Sequence, residues 1–306
     1  MRSLIIALMP LSLILASCTS TSYDLMETAS LQPKFQDKDP MDFGVNSPHR
    51  HEVHGIDVSK WNGNINWVQV RNSGVAFTFI KATEGKDVVD PKFAEYWQQA
   101  RAAGMPHAPY HFYYFCSSAD EQANWFIANV PRDSMAMPPV IDVEWNHTSK
   151  TCTTRPPAPV VRAEMKRFMD RLEAYYGKRP IIYTSVDFHR ENLEGAFPDY
   201  YFWVRSVAKH PSEIYPGRKW AFWQYTSTGV VPGIKGNTDI NVFAGTRQYW
   251  RKWVAAVSAP PQRPAQQQIA QQPQTIAQPA TQGMSGTLPP MVEPPQSVGQ
   301  IQQAAN

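Results

Sequence analysis

Pro138-Pro139-Val140-Ile141-Asp142-Val143-Glu144-Trp145 (PPVIDVEW) is apolar except for two acids spaced two residues apart. An apolar run of this length with flanking prolines predicts a strand over residues 139–145. A strand without polar alternation is covered on both faces, as in a parallel sheet clothed by helices. Side chains alternate along a strand, so Asp142 and Glu144 point to one side.

Similar runs recur on either side of it. His54–Ser59, Val75–Thr83, Ala108–Phe115, Pro180–Ser185, Tyr201–Val207, Trp220–Thr226 and Thr238–Phe243 all read as strands. Helices are expected between the early ones. Pro91–Ala103 opens on Asp90 as N-cap and Pro91 at the first position. Asp120–Asn129 and Ala158–Tyr176 follow, the latter stopped by Gly177. Repeated strand–helix units imply a parallel α/β sheet, and about eight strands imply closure into a barrel. The last strands are too closely spaced for full helices between them. The expected fold is therefore an irregular TIM-like barrel, a single domain with disordered flanks.

Length and composition frame this domain. The chain has 306 residues and a formal charge of +3, with no polybasic run of the kind that meets nucleic acid. Residues 1–17 read as a signal peptide, with Arg2 ahead of the short apolar stretch Leu4 to Leu15. Leu15-Ala16-Ser17-Cys18 resembles a bacterial lipobox, which implies acylation of Cys18 and a membrane anchor without a membrane span. Thr19 follows, not Asp, which implies the outer membrane, facing the periplasm. Residues 18–50 are polar and aperiodic and read as a flexible tether. Residues 51–257 hold the barrel. Residues 258–306 form a Pro/Gln-rich tail that cannot bury a core and is expected to be disordered. Export favours a disulfide between the two remaining cysteines, Cys116 and Cys152, at the same end of neighbouring strands.

In such barrels the active site lies at the C-terminal ends of the strands. Asp57 closes the first strand, Asp142 and Glu144 the fourth, and Asp239 borders the last. First and last strands are neighbours in a closed barrel, so four acids converge on one rim. Two carboxyls forced together cannot both ionise easily, and an acid beside a carboxylate is the pair that glycosidic cleavage needs. A single such Asp would be an ordinary solvated strand end. The segment HRHEVH (49–54) lacks the His-Glu-x-x-His spacing, so no metal or other cofactor is expected.

HGIDVSKWNGNINW, FIKATEG, YHFYYF, PPVIDVEW, IIYTS, WQYTSTG and DINVF, in this order, resemble glycoside hydrolase family 25, lysozymes acting as N-acetylmuramidases. The resemblance covers about residues 53 to 250. It implies a (β/α)5(β)3 barrel whose partners are the glycan strands of peptidoglycan. It makes Glu144 the general acid, Asp142 the acid that stays charged beside it, and Asp57 and Asp239 the other acids of the site. It places Tyr110, His111, Lys81, Glu84, Trp223, Gln224 and Tyr225 near the saccharide, with Tyr110 favoured over His111 as the one facing the sugar. Arg205 departs from the family pattern, where a smaller residue is common. It is expected to pair with Asp239 or with an acidic substrate group, or to be solvated. Attack by a carboxylate, by water or by the substrate's own acetamido group stays open. The other class of function is a wall-binding or scaffolding lipoprotein that keeps the fold without turnover.

Overall fold

The computed structural model describes residues 33–258. The leader, Cys18 and the tail beyond Ser258 lie outside the described residues.

In chain order the elements are β1 (Gln36–Asp37), β2 (His54–Val58), α1 (Trp67–Asn72), β3 (Val75–Glu84), β4 (Val88–Val89), α2 (Phe93–Ala102) and β5 (His107–Phe112). Next come α3 (Ala119–Asn129), β6 (Val140–Val143), α4 (Ala158–Tyr176), β7 (Ile181–Thr184), α5 (Val186–Asn192) and β8 (Phe202–Arg205). The chain finishes with α6 (Pro211–Ile214), β9 (Phe222–Val230), β10 (Thr238–Phe243) and α7 (Arg247–Val257).

Eight strands close a barrel in the order β9-β10-β2-β3-β5-β6-β7-β8, with β8 pairing back to β9. From β2 round to β9 all neighbours are parallel. β10 is antiparallel to both β9 and β2. The physical reason is connection length: the segment from β9 to β10 is too short for the crossover that a parallel pair needs. This places the start of β10 at the same rim as the end of β2, with Asp239 opposite Asp57.

Each barrel strand sends alternate side chains inward and outward. Phe77, Phe79, Tyr110, Val140, Ile181, Trp203, Phe222 and Phe243 fill the interior, and Trp250 and Trp253 of α7 join them. Ile56, Ile80, Ile141, Ile182, Val204 and Ile240 face outward, where Phe126, Phe168 and Leu172 of α3 and α4 pack. Gly55 is required here, because a Cβ at that position would stand 2.4 Å from the Phe77 ring.

Several expected boundaries move. β5 stops at Phe112, and β6 stops at Val143, so Glu144 sits just past its strand rather than on it. The N-cap of α2 is Lys92, not Asp90. Asp90 instead accepts from the backbone N–H groups of Lys92 (2.9 Å) and Lys60 (3.0 Å), tying the loop after β2 to the end of β4. Gly177 ends α4 in the left-handed conformation. Cys116 and Cys152 are joined by a disulfide with Cα atoms 5.7 Å apart.

The tether reading of residues 18–50 needs correction over its described part. Residues 33–50 lie against the barrel. Gln36 and Asp37 pair with Val230 and Gly229 of β9. Phe43 meets the Trp223 ring at 5.0 Å and Phe35 meets His54 at 5.4 Å. Two apolar rings per short segment were enough to dock it, which a search for periodicity overlooks.

Candidate active site

The strand ends deliver the acids. On β2, Ile56 and Val58 face the helices, so Asp57 between them faces the barrel interior. Its Oδ2 accepts from Asn241 Nδ2 (2.8 Å) on β10 and from Gln224 Nε2 (2.9 Å) on β9. Asp142 points inward from β6, and Glu144 follows one residue beyond that strand. Asp239 stands across from Asp57 at the start of β10. Asp57 and Asp142 are buried, whereas Glu144 and Asp239 are half-buried at the mouth.

Behind the acids runs a hydrogen-bonded scaffold. Tyr183 donates to Gln224 Oε1 (3.0 Å), and Trp203 Nε1 donates to Asn241 Oδ1 (2.7 Å). These bonds leave the amide groups of Gln224 and Asn241 aimed at Asp57, fixing that carboxylate by donors on two strands. On the opposite flank Lys81 pairs with Glu84 (2.7 Å) and lies over the Phe112 ring at 4.9 Å. Glu84 also accepts from Tyr114, whose oxygen accepts from Asn146 Nδ2 (2.9 Å).

Burial pushes all four carboxyls upward, because a low-dielectric site disfavours the charged form. Asp57 rises to about 6, held from rising further by Asn241, Gln224 and Arg205. Asp239 rises to about 8, through burial and then the Asp57 charge. Asp142 moves well above the usual carboxylate range, through burial and then Glu144. Glu144 is also raised by burial, with Arg205 and Lys81 opposing. A raised pKa favours the protonated form, the form that general acid work needs.

The family resemblance implies that Asp142 stays charged. It is the more deeply buried of the pair, and its Oδ1 has no partner among the described residues. Burial and then the Glu144 charge push Asp142 up against the pull of Lys81, so the protonated form is favoured at Asp142 as well as at Glu144. Glu144 is the member at the mouth.

The model of glycosyl hydrolases family 25 matches residues 56–234. The chain belongs to glycosyl hydrolase family 25. It is a glycoside hydrolase of the lysozyme and muramidase type. YegX of Escherichia coli strain K12, described only as an uncharacterized protein, is 35% identical over 224 residues, covering 72% of this chain and 79% of that one. Lysozyme M1 of Streptomyces globisporus is 34% identical over 206 residues, covering 63% of this chain and 68% of that lysozyme. The structure of a family 25 glycosyl hydrolase from Bacillus anthracis superposes with a TM-score of 0.62 at 34% identity, covering 71% of this chain and 99% of that one.

Among the family 25 residues read from the sequence, the barrel gathers Asp57, Asp142, Glu144, Asp239, Lys81, Glu84, Gln224 and Arg205 around one rim. Tyr110 lies beneath them inside the barrel, where burial and then the charges of Asp57, Asp142 and Asp239 raise its phenol. His111 does not belong there. Its neighbour on the strand faces in, so it faces out, bonded to Thr83 (2.7 Å) and Gln122 (3.1 Å) and stacked on Phe168. Trp223 and Tyr225 also face out, for the same reason of alternation around Gln224. Trp223 Nε1 donates to Ser206 O (2.7 Å) in a cluster with Phe43, His51 and His210. Tyr225 packs beside His54. Arg205 forms no direct ion pair with Asp239; its charge reaches Asp57, Glu144 and Asp239 across space. Tyr183 and Asn241 were missed. Asn241 follows Asp239 by two on a strand, and that spacing was the available signal.

Proposed function

We propose that this chain is an N-acetylmuramidase that hydrolyses the β-1,4 bond between N-acetylmuramic acid and N-acetylglucosamine, with Glu144 as general acid. The observation that carries the reading is the position of Glu144: it is the half-buried member of a coupled acid pair, with a raised pKa, at the open end of the barrel. Glu144 delivers the pair's proton to the leaving glycosidic oxygen. As that bond lengthens, positive charge grows at the anomeric carbon, and the ionised members of the cluster stabilise it. Asp57, fixed by Gln224 and Asn241, is the best anchored of these. The signal peptide and Cys18 lipobox support the further proposal of a lipid-anchored enzyme on the periplasmic face of the outer membrane, trimming the adjacent wall. The acid set supports turnover over a purely scaffolding role, since wall binding alone needs no coupled proton donor.

Digestion of purified sacculi in heavy-oxygen water tests the reaction. The expected product carries a reducing muramic acid with the heavy oxygen at C1. A reducing N-acetylglucosamine would refute the bond assignment, and an anhydromuramic end would refute hydrolysis.

A further inference from the structure

We infer that Arg205 is the substrate's carboxylate receptor: its guanidinium holds the acidic group borne by muramic acid, and this selects a muramyl glycan over a neutral one. The inference rests on the glycan-hydrolase reading above and names the substrate group that this rim recognises.

Arg205 is the last residue of β8, two after Trp203, so both face the barrel interior. Its backbone is pinned: β8 registers Arg205 against Gln224 of β9, and Tyr215 donates to the Arg205 carbonyl (2.6 Å). Its side chain is half-buried, yet among the described residues the guanidinium has no ion-pair or hydrogen-bond partner. The other cations at this end of the barrel are committed. Lys81 pairs with Glu84. Arg155 meets His147 (2.8 Å) and covers the Trp145 ring. Lys60 lies over Trp61.

The guanidinium acts on Asp57, Glu144 and Asp239 only across space, which leaves its hydrogen-bond donors open to a ligand. A site with four acids repels an anionic ligand, and every second sugar of a muramyl glycan carries a 3-O-lactyl carboxyl. On a denuded strand that carboxylate is free; on an intact strand it is amide-linked to a stem peptide with acidic groups of its own. A planar guanidinium receives either carboxylate through two parallel hydrogen bonds. The acids occupy β2, β10 and β6, with β8 lying between β9 and β7 on one flank. A sugar seated between the acids therefore presents one edge to Arg205. A chain of N-acetylglucosamine alone gains nothing from this contact.

The test is calorimetric binding to the full chain carrying Glu144→Gln, which removes turnover. Three probes are compared: an N-acetylglucosamine–N-acetylmuramic acid tetrasaccharide with free carboxylates, its methyl ester, and its peptide-bearing form. The free acid is expected to bind roughly tenfold or more tighter than the ester. Adding Arg205→Ala should erase that preference at unchanged melting temperature, and Arg205→Lys should restore part of it. A preference confined to the peptide-bearing form, and lost in Arg205→Ala, assigns the contact to the stem instead of the lactyl group. Equal binding of acid and ester with a peptide-bearing form indifferent to Arg205 overturns the inference. Binding of none of the three overturns the glycan reading itself, and the inference with it.

Discussion

Glu144→Gln is expected to lower the rate of glycan cleavage by roughly two to four orders of magnitude while leaving the fold intact. The amide has the shape of the acid but no proton to give, and the poor sugar leaving group departs only with one. Packing should not change, since Glu144 is half-buried beyond the end of β6 and holds no element in place. The decisive contrast lies in the leaving group. A muramyl glycoside of an acidic nitrophenol departs without protonation, so the variant should lose far less on it than on the polymer. An equal loss on both substrates would show that Glu144 serves the site in some other way than as proton donor.

Trp203→Ala is expected to cost about 3–5 kcal/mol in stability, among the largest effects available to one substitution in this domain. Trp203 lies inside the barrel, 2% exposed, stacked on Phe79 at 4.2 Å and against Tyr183 at 4.3 Å. Truncation leaves a cavity that the closed wall of strands cannot collapse to fill. It also orphans Asn241 Oδ1, which accepts from the indole. Asn241 and Tyr183 both steady the donors of Asp57, so cleavage should slow as well as stability fall. Trp203→Phe separates the two effects. It refills most of the volume but lacks the N–H, so thermal unfolding should largely recover while the rate stays depressed. Full recovery of both would show that the indole bond does nothing for Asp57.

The barrel was legible because its strands are buried on both faces. Runs such as FIKAT and PPVIDVEW carry that signature without help from the rest of the chain, and the spacing after Phe202 announced the missing helices. Four acids at strand ends were legible for the same reason, since a strand fixes which residues share a side. What escaped depended on neighbours far away in sequence. His111, Trp223 and Tyr225 were placed near the saccharide by motif, yet strand alternation admits only Tyr110 and Gln224 of YH and WQY to the interior. Residues 33–50 looked like linker because their anchoring partners, Trp223, His54 and the edge of β9, are distant in the chain. The state of Asp142 follows from burial, which only the closed fold creates, added to a nearness of Glu144 that strand alternation alone implies.

The measurement that bears most directly on the account is the pH dependence of kcat/KM for release of soluble glycan from sacculi. The proton of the Asp142–Glu144 pair is present below its raised pKa and lost as pH rises through it, so the rate falls on the alkaline side. Ionised Asp57 is present above about 6 and lost as pH falls through that value, so the rate falls on the acid side as well. A bell is expected, with its acid limb near 6 and its alkaline limb set by the raised pKa of the pair. A rate that does not fall as pH drops through about 6 would contradict it.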